Sequence, residues 1–175
     1  MARPLSIFCH AMLAFAAVLP TALASTSIAD IGFADAAAIA RAENPNRPLL
    51  AMRPRTVGGV RFLITTNIDE FNTLFYGTKL RVSDGTVFDV DIESILPPTH
   101  LETAAVLERL PELTLDFTDA ITIANAESQQ SDADIRRIQL SSVAFMLLFD
   151  VRYKNSERVM VDGVTGRIVT PDFAA

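Results

Sequence analysis

The stretch FADAAAIARAE, Phe33–Glu43, returns as FTDAITIANAE, Phe117–Glu127, with seven of eleven positions identical. The shared Phe, the two shared acids and the common Ile make this an internal repeat and not a coincidence of Ala-rich sequence. Each copy reads as a helix. Phe117, Ala120, Ile121 and Ala124 fall at i, i+3, i+4 and i+7, one apolar stripe, and Phe33, Ala36, Ala37 and Ala40 repeat it. Asp116 is placed to cap the second helix, with Asp119 in its first turn. Gly32 holds the cap position of the first, a weaker choice, and Asn44-Pro45 stops that helix.

Strand patterns follow each helix. In the second copy AFMLLFDVRYK alternates, with Phe145, Leu147, Phe149, Val151 and Tyr153 on one side and Met146, Leu148, Asp150, Arg152 and Lys154 on the other. Asn155-Ser156 forms a turn and RVMVD returns. In the first copy TLFYGTKLRV and TVFDVDIE flank Ser83-Asp84-Gly85-Thr86, a hairpin signal. The expected fold is α+β: two tandem units, each a helix on a three-stranded antiparallel sheet. Setting Asp91 against Asp162 makes the first copy 13 residues longer, somewhere within RPRTVGGVRFLITTNIDEFNTLF. A linker helix joins the copies in PPTHLETAAVLERLPE, with Thr99 and Glu102 as a capping box and Pro111 at its end. The expected organisation is residues 1–24, 25–96, 97–112 and 113–175. Each copy is marginal as an independent core, so the two should pack together. AFMLLF is apolar on both faces, so the second copy's other face needs a cover: the first copy is the leading expectation, another protomer or a target the alternatives.

The first 24 residues read as a signal peptide: Arg3, an apolar run from Ile7 to Leu19, and Ala22-Leu23-Ala24 as the cleavage signal. Cys9 follows Phe8 inside the apolar run, which does not fit a lipid-anchored cysteine. Cleavage after Ala24 would remove the one cysteine and His10, leaving no disulfide or thiolate site, and would place the chain in the periplasm or outside the cell. Arg3 is the one charged side chain removed, so the net charge would move from −6 to −7. Such an acidic chain lacks the electrostatic footprint for nucleic acid or anionic lipid, and no later run is long and apolar enough to span a bilayer.

The helix with DAITIANAE, the following strands and the closing RVMVDGVTGRIV together resemble the PepSY domain family, whose closing segment runs Val-Asp-x-x-Thr-Gly-x-Val. The second copy carries it at Val161, Asp162, Thr165, Gly166 and Ile168-Val169; the first copy is similar in helix and hairpin but has no Thr-Gly after Asp91. The resemblance implies an extracytoplasmic, non-catalytic module, named for its occurrence in propeptides of secreted peptidases. It implies no cofactor and no catalytic residue, and a structural role for Asp162, Thr165 and Gly166. Independently, Asp and Thr can bond nearby backbone amides, and Gly supplies a positive φ.

Three constellations remain. His100, near a helix start, has no nucleophile-elbow motif to serve and reads as a solvated side chain. Asp89, Asp91 and Glu93 alternate on one strand, opposite in face to Phe88, Val90 and Ile92, and are the candidate ligands of a hard divalent cation such as calcium. Lys79 and Arg81 on the neighbouring strand are the competing partners. Asp132 and Asp134 form a second acid pair before Arg136 and Arg137. The leading expectation is a non-enzymatic secreted binding module that regulates or inhibits a protein partner of the cell envelope, such as a peptidase; the alternative is a cation-binding protein.

Overall fold

The computed structural model describes residues 30–69, 74–93 and 101–170, and of residues 74, 89–93 and 101–103 the backbone alone. The expected signal peptide, Thr99 and His100 lie outside the described residues. The elements run α1 (Phe33–Glu43), β1 (Leu49–Val57), β2 (Val60–Asp69), β3 (Leu74–Arg81), β4 (Val87–Glu93), α2 (Leu101–Arg109), α3 (Phe117–Ser128), β5 (Ile135–Val143), β6 (Met146–Tyr153) and β7 (Arg158–Asp162). A 3-10 turn at Leu110–Glu112 prolongs α2 through Pro111.

The strands do not form two sheets. They form one antiparallel sheet of seven, in the order β4-β3-β2-β1-β5-β6-β7. The seam is β1 against β5, where Ala51 faces Gln139 and Met52 faces Ile138. The two halves therefore meet edge to edge, and neither sheet covers the other's second face, contrary to the sequence expectation. This solves the edge problem physically: β1 and β5 satisfy each other's ladder groups instead of exposing them.

One core runs across both halves. Ala36, Ala37, Phe117, Ala120, Ile121 and Ala124 on α1 and α3 meet Met52, Leu63, Leu80, Ile138, Leu147, Phe149 and Val151 on the strands. Val106 of α2 joins the same core. The small residues on both helices let them sit close to each other and to the sheet, while Phe117 meets Phe149 edge to face at 5.0 Å. Each large side chain buried this way contributes about 1.5–3 kcal/mol.

The register repeats from one half to the other. Leu49 pairs with Asn67 and Ala51 with Thr66, leaving Leu50 as a bulge; Ile135 pairs with Tyr153 and Arg137 with Arg152, leaving Arg136. Val57 closes on Val60 around Gly58-Gly59, and Val143 closes on Met146 around Ala144-Phe145. All four central residues have positive φ: 57 and 80° for the glycines, 47 and 64° for Ala144 and Phe145. Phe145 therefore belongs to a turn and is 92% exposed, not part of the inward row of β6.

The same register corrects the pairing of Asp91 with Asp162. Phe62 pairs with Arg81, nineteen residues on, whereas Leu148 pairs with Asp162, fourteen residues on. Arg81 is thus the counterpart of Asp162. Leu80 opposite Val87 then answers to Val161 opposite Ile168. Between β2 and β3 the first half is longer by five residues; from helix to closing strand it is longer by three (84 minus 81), not by 13, and Asp84-Gly85 stands where the second half has Thr165-Gly166.

Candidate functional site

The closing turn is tied together by its own side chains and backbone. Asp162 Oδ1 accepts the amides of Val164 at 2.8 Å and Thr165 at 3.0 Å, and the Gly166 amide donates to the Asp162 carbonyl at 2.8 Å. Gly166 has φ +72°. Thr165 Oγ1 accepts from the Arg167 amide at 3.4 Å. Gly163 has a different role: its carbonyl accepts the amides of Thr114 and Leu115, and its own amide donates to the Leu147 carbonyl at 2.7 Å. The turn pins the approach to α3 onto the end of the sheet. In the first half Asp84 Oδ1 accepts from the Thr86 amide at 2.9 Å, and Gly85 has φ +71°. That backbone bond holds the Asp84 carboxyl below its usual range.

Asp132 and Asp134 do not form a pair. Asp132 Oδ2 accepts the Ala34 amide at 3.0 Å, and its Oδ1 accepts Asn125 Nδ2 at 2.6 Å. Asp134 Oδ2 accepts the Ser131 hydroxyl at 2.6 Å. Both are committed to helix and turn starts.

Asp89, Asp91 and Glu93 lie on β4 opposite Lys79, Gly77 and Phe75; their side chains are outside the described residues. Arg81 bonds Asp84 at 3.0 Å and stacks over Phe88 at 4.3 Å, with Phe88 turned against Phe62 by the bulge at Lys79/Leu80. Among the described residues no group of three His, Cys, Asp or Glu side chains converges on a metal position.

A cleft of about 1050 Å³ opens between the C-terminal half of α1 and residues 110–119. Arg41 and Asp116 bridge it at 2.8 Å. Asp116 is also the α3 cap, accepting from the Asp119 amide at 2.9 Å, so the cleft's polar groups serve the fold.

Sequence reading missed a row of basic side chains that the sheet assembles. Arg137 pairs with Arg152, and Arg152 with Arg158, across β5, β6 and β7. The β1–β5 register sets Arg53 beside Arg137. Four guanidinium groups therefore line up across four adjacent strands, with Arg136 in the bulge next to them. Asp150, fully buried, answers one end of the row: Oδ1 lies 2.7 Å from Arg158 Nε, and Oδ2 lies 2.8 Å from Arg152 Nη2. Burial pushes the Asp150 carboxyl up, but the two arginines outweigh it and hold it below the usual carboxylate range. Among the described residues neither Arg53 nor Arg137 has a carboxylate partner. Burial and the facing Arg152 and Arg53 push the Arg137 guanidinium below its ordinary value, with Asp150 opposing. Like charges directly opposite on a sheet are destabilising.

Comparison with protein-family models and with curated proteins gave no match. Among solved structures, a chain from Clostridium difficile 630 described as a "putative lipoprotein" is similar over 81% of this chain and 91% of that one, with 13% identity and a TM-score of 0.48. A likeness this distant assigns neither a family nor an activity.

Proposed function

We propose that the chain is a non-enzymatic binding module of the cell envelope, built from two PepSY-like units, that regulates a partner protein such as an envelope peptidase. The observation that carries this reading is the arginine row. Most polar constellations of the described residues are spent on caps, turns and bridges, whereas Arg53 and Arg137 lie side by side with no ion pair of their own among the described residues. A surface that tolerates such repulsion is built for recognition and not for stability. The sequence supports the location through its N-terminal Arg3, apolar run and Ala22-Leu23-Ala24. Among the described residues no helix is long and apolar enough to cross a membrane.

The test is affinity capture from an envelope extract with the purified chain, with and without chelator. A protein partner retained in chelator supports the reading. Capture of nothing, together with calcium-dependent melting, would favour the second reading, in which the alternating Asp89, Asp91 and Glu93 of β4 bind a divalent cation.

A further inference from the structure

We propose that Arg53 and Arg137 hold a carboxylate of an acidic peptide segment, in the way that Asp150 is held by Arg152 and Arg158. This rests on the binding-module reading and names the chemistry of the partner.

The protein supplies its own template. At one end of the row a single carboxylate takes Nε and Nη2 of both Arg152 and Arg158, at distances from 2.7 to 3.2 Å. At the other end the position opposite Asp150 is Gln139, and opposite Gln139 on β1 is Ala51. Neither brings a charge. The same strand spacing and the same side chain type recur there with no acid placed between them among the described residues. Guanidinium forks match carboxylates in a bidentate fashion, so the missing group is a carboxylate supplied from outside.

Size and charge select a short peptide over a larger polyanion. The hollow on the Arg152 side of Arg137, lined by Arg136, Arg137, Arg152, Glu157 and Arg158 but not by Arg53, is about 340 Å³. It takes a side chain or two, not a flat membrane surface. The chain as a whole is acidic, at −6, so an extended polyanion reaching past the row meets repulsion. An extended strand with Asp or Glu at alternate positions puts its carboxylates on one side and can be read by a row of this kind.

The test is titration of the full chain with a hexaglutamate peptide by calorimetry at low and at raised salt. The expected result is salt-sensitive binding that weakens at least tenfold in Arg53→Gln/Arg137→Gln and is unchanged in Arg41→Gln, which sits in the distant cleft. The double variant should melt no lower than the wild type, because the row loses repulsion and no native partner. Equal binding by the double variant would overturn the inference. So would binding of inorganic phosphate or of phosphatidylglycerol vesicles through the same arginines with hexaglutamate inert. If the double variant still captures an envelope protein, the binding-module reading stands and this site falls. If hexaglutamate binding depends on Arg137 while no envelope protein is captured, the site stands and the regulatory reading falls.

Discussion

Asp132 Oδ2 lies 3.0 Å from the amide nitrogen of Ala34 and caps a helix 98 residues away in sequence. Gly32, at the cap position of α1, has no side chain to offer, and a Cβ there would stand 2.7 Å from that same carboxylate oxygen. The glycine makes room for the acid, and the acid does the work of the missing cap. The contact ties the second half of the chain to the start of the first half's helix.

Asp132→Ala should therefore destabilise the protein by about 1–2 kcal/mol, the range for losing an N-cap. Gly32→Ala should also destabilise, but less in the Asp132→Ala background, where the carboxylate is gone and the 3.0 Å approach of the residue-132 Cβ is the contact left. Denaturant melts of the two single variants and the double variant measure this coupling. Simple additivity would show that the two residues act independently.

The closing turn separates two reasons for glycine. Gly166→Val should cost about 1–3 kcal/mol, because a β-branched residue is strained at positive φ. Space is not the issue there, since the nearest atoms to a Cβ, on Ile123 and Leu115, are 3.5 Å away. Gly163 has an unremarkable φ, but its Cβ would meet Leu113 Cδ1 at 2.5 Å and the Leu147 carbonyl at 3.1 Å. Gly163→Ala should thus destabilise by crowding, and truncating Leu113 to Ala should relieve part of it. Thermal melts check both; an unchanged Gly166→Val variant would show the turn reading to be wrong.

The helices, the Asp116 cap and the Asp162 turn were legible because each is written in local sequence: a 3.6-residue stripe, an acid at a helix start, an Asp-x-x-Thr-Gly run. The single sheet was not, since an edge that pairs and an edge that faces solvent have the same alternation. The Gly58-Gly59 hairpin was not read from the sequence, and without a register its match to Ala144-Phe145 was invisible, as those residues share no turn chemistry. The arginine row failed for the same reason. Arg53, Arg137, Arg152 and Arg158 are scattered in sequence and become neighbours only through three strand pairings.

The Ala144-Phe145 turn is a reservoir of stability. Both residues occupy positive φ without being glycine, and Phe145 buries almost nothing in return. Two-residue hairpins of this twist favour Asn-Gly. Ala144→Asn with Phe145→Gly should raise stability by about 1 kcal/mol by removing backbone strain. A denaturant midpoint that falls instead would show that Phe145 makes a stabilising contact in solution.

The acidic strand gives a clean distinction between a structural and a ligand-binding β4. If Asp89, Asp91 and Glu93 bind a cation, millimolar calcium should raise the melting temperature by mass action, and changing them to Asn, Asn and Gln should abolish the rise. Lys79 stands opposite Asp89 in the register. The outcome in line with the binding-module reading is no calcium effect, with the triple variant losing only the small contribution typical of surface pairs.

Asp150 sets the acid limb of stability. Its carboxyl lies below the ordinary value of about 3.9 because Arg152 and Arg158 outweigh its burial. A depressed folded-state pKa means that the unfolded chain takes up the proton first on acidification. The stabilisation is therefore complete above the unfolded value and is lost as pH falls through the folded one. Arg137, facing Arg152, adds to the positive field that holds the carboxylate charged. Asp150→Asn should cost about 1–3 kcal/mol at neutral pH, since it leaves two partly buried guanidinium groups without their anion. The gap between wild type and variant should be flat from pH 7 to about 5 and should close below about 4. Melting curves across that range decide it: a gap that persists at low pH would mean that the Asp150 contribution is one of shape and hydrogen bonding, and not of charge.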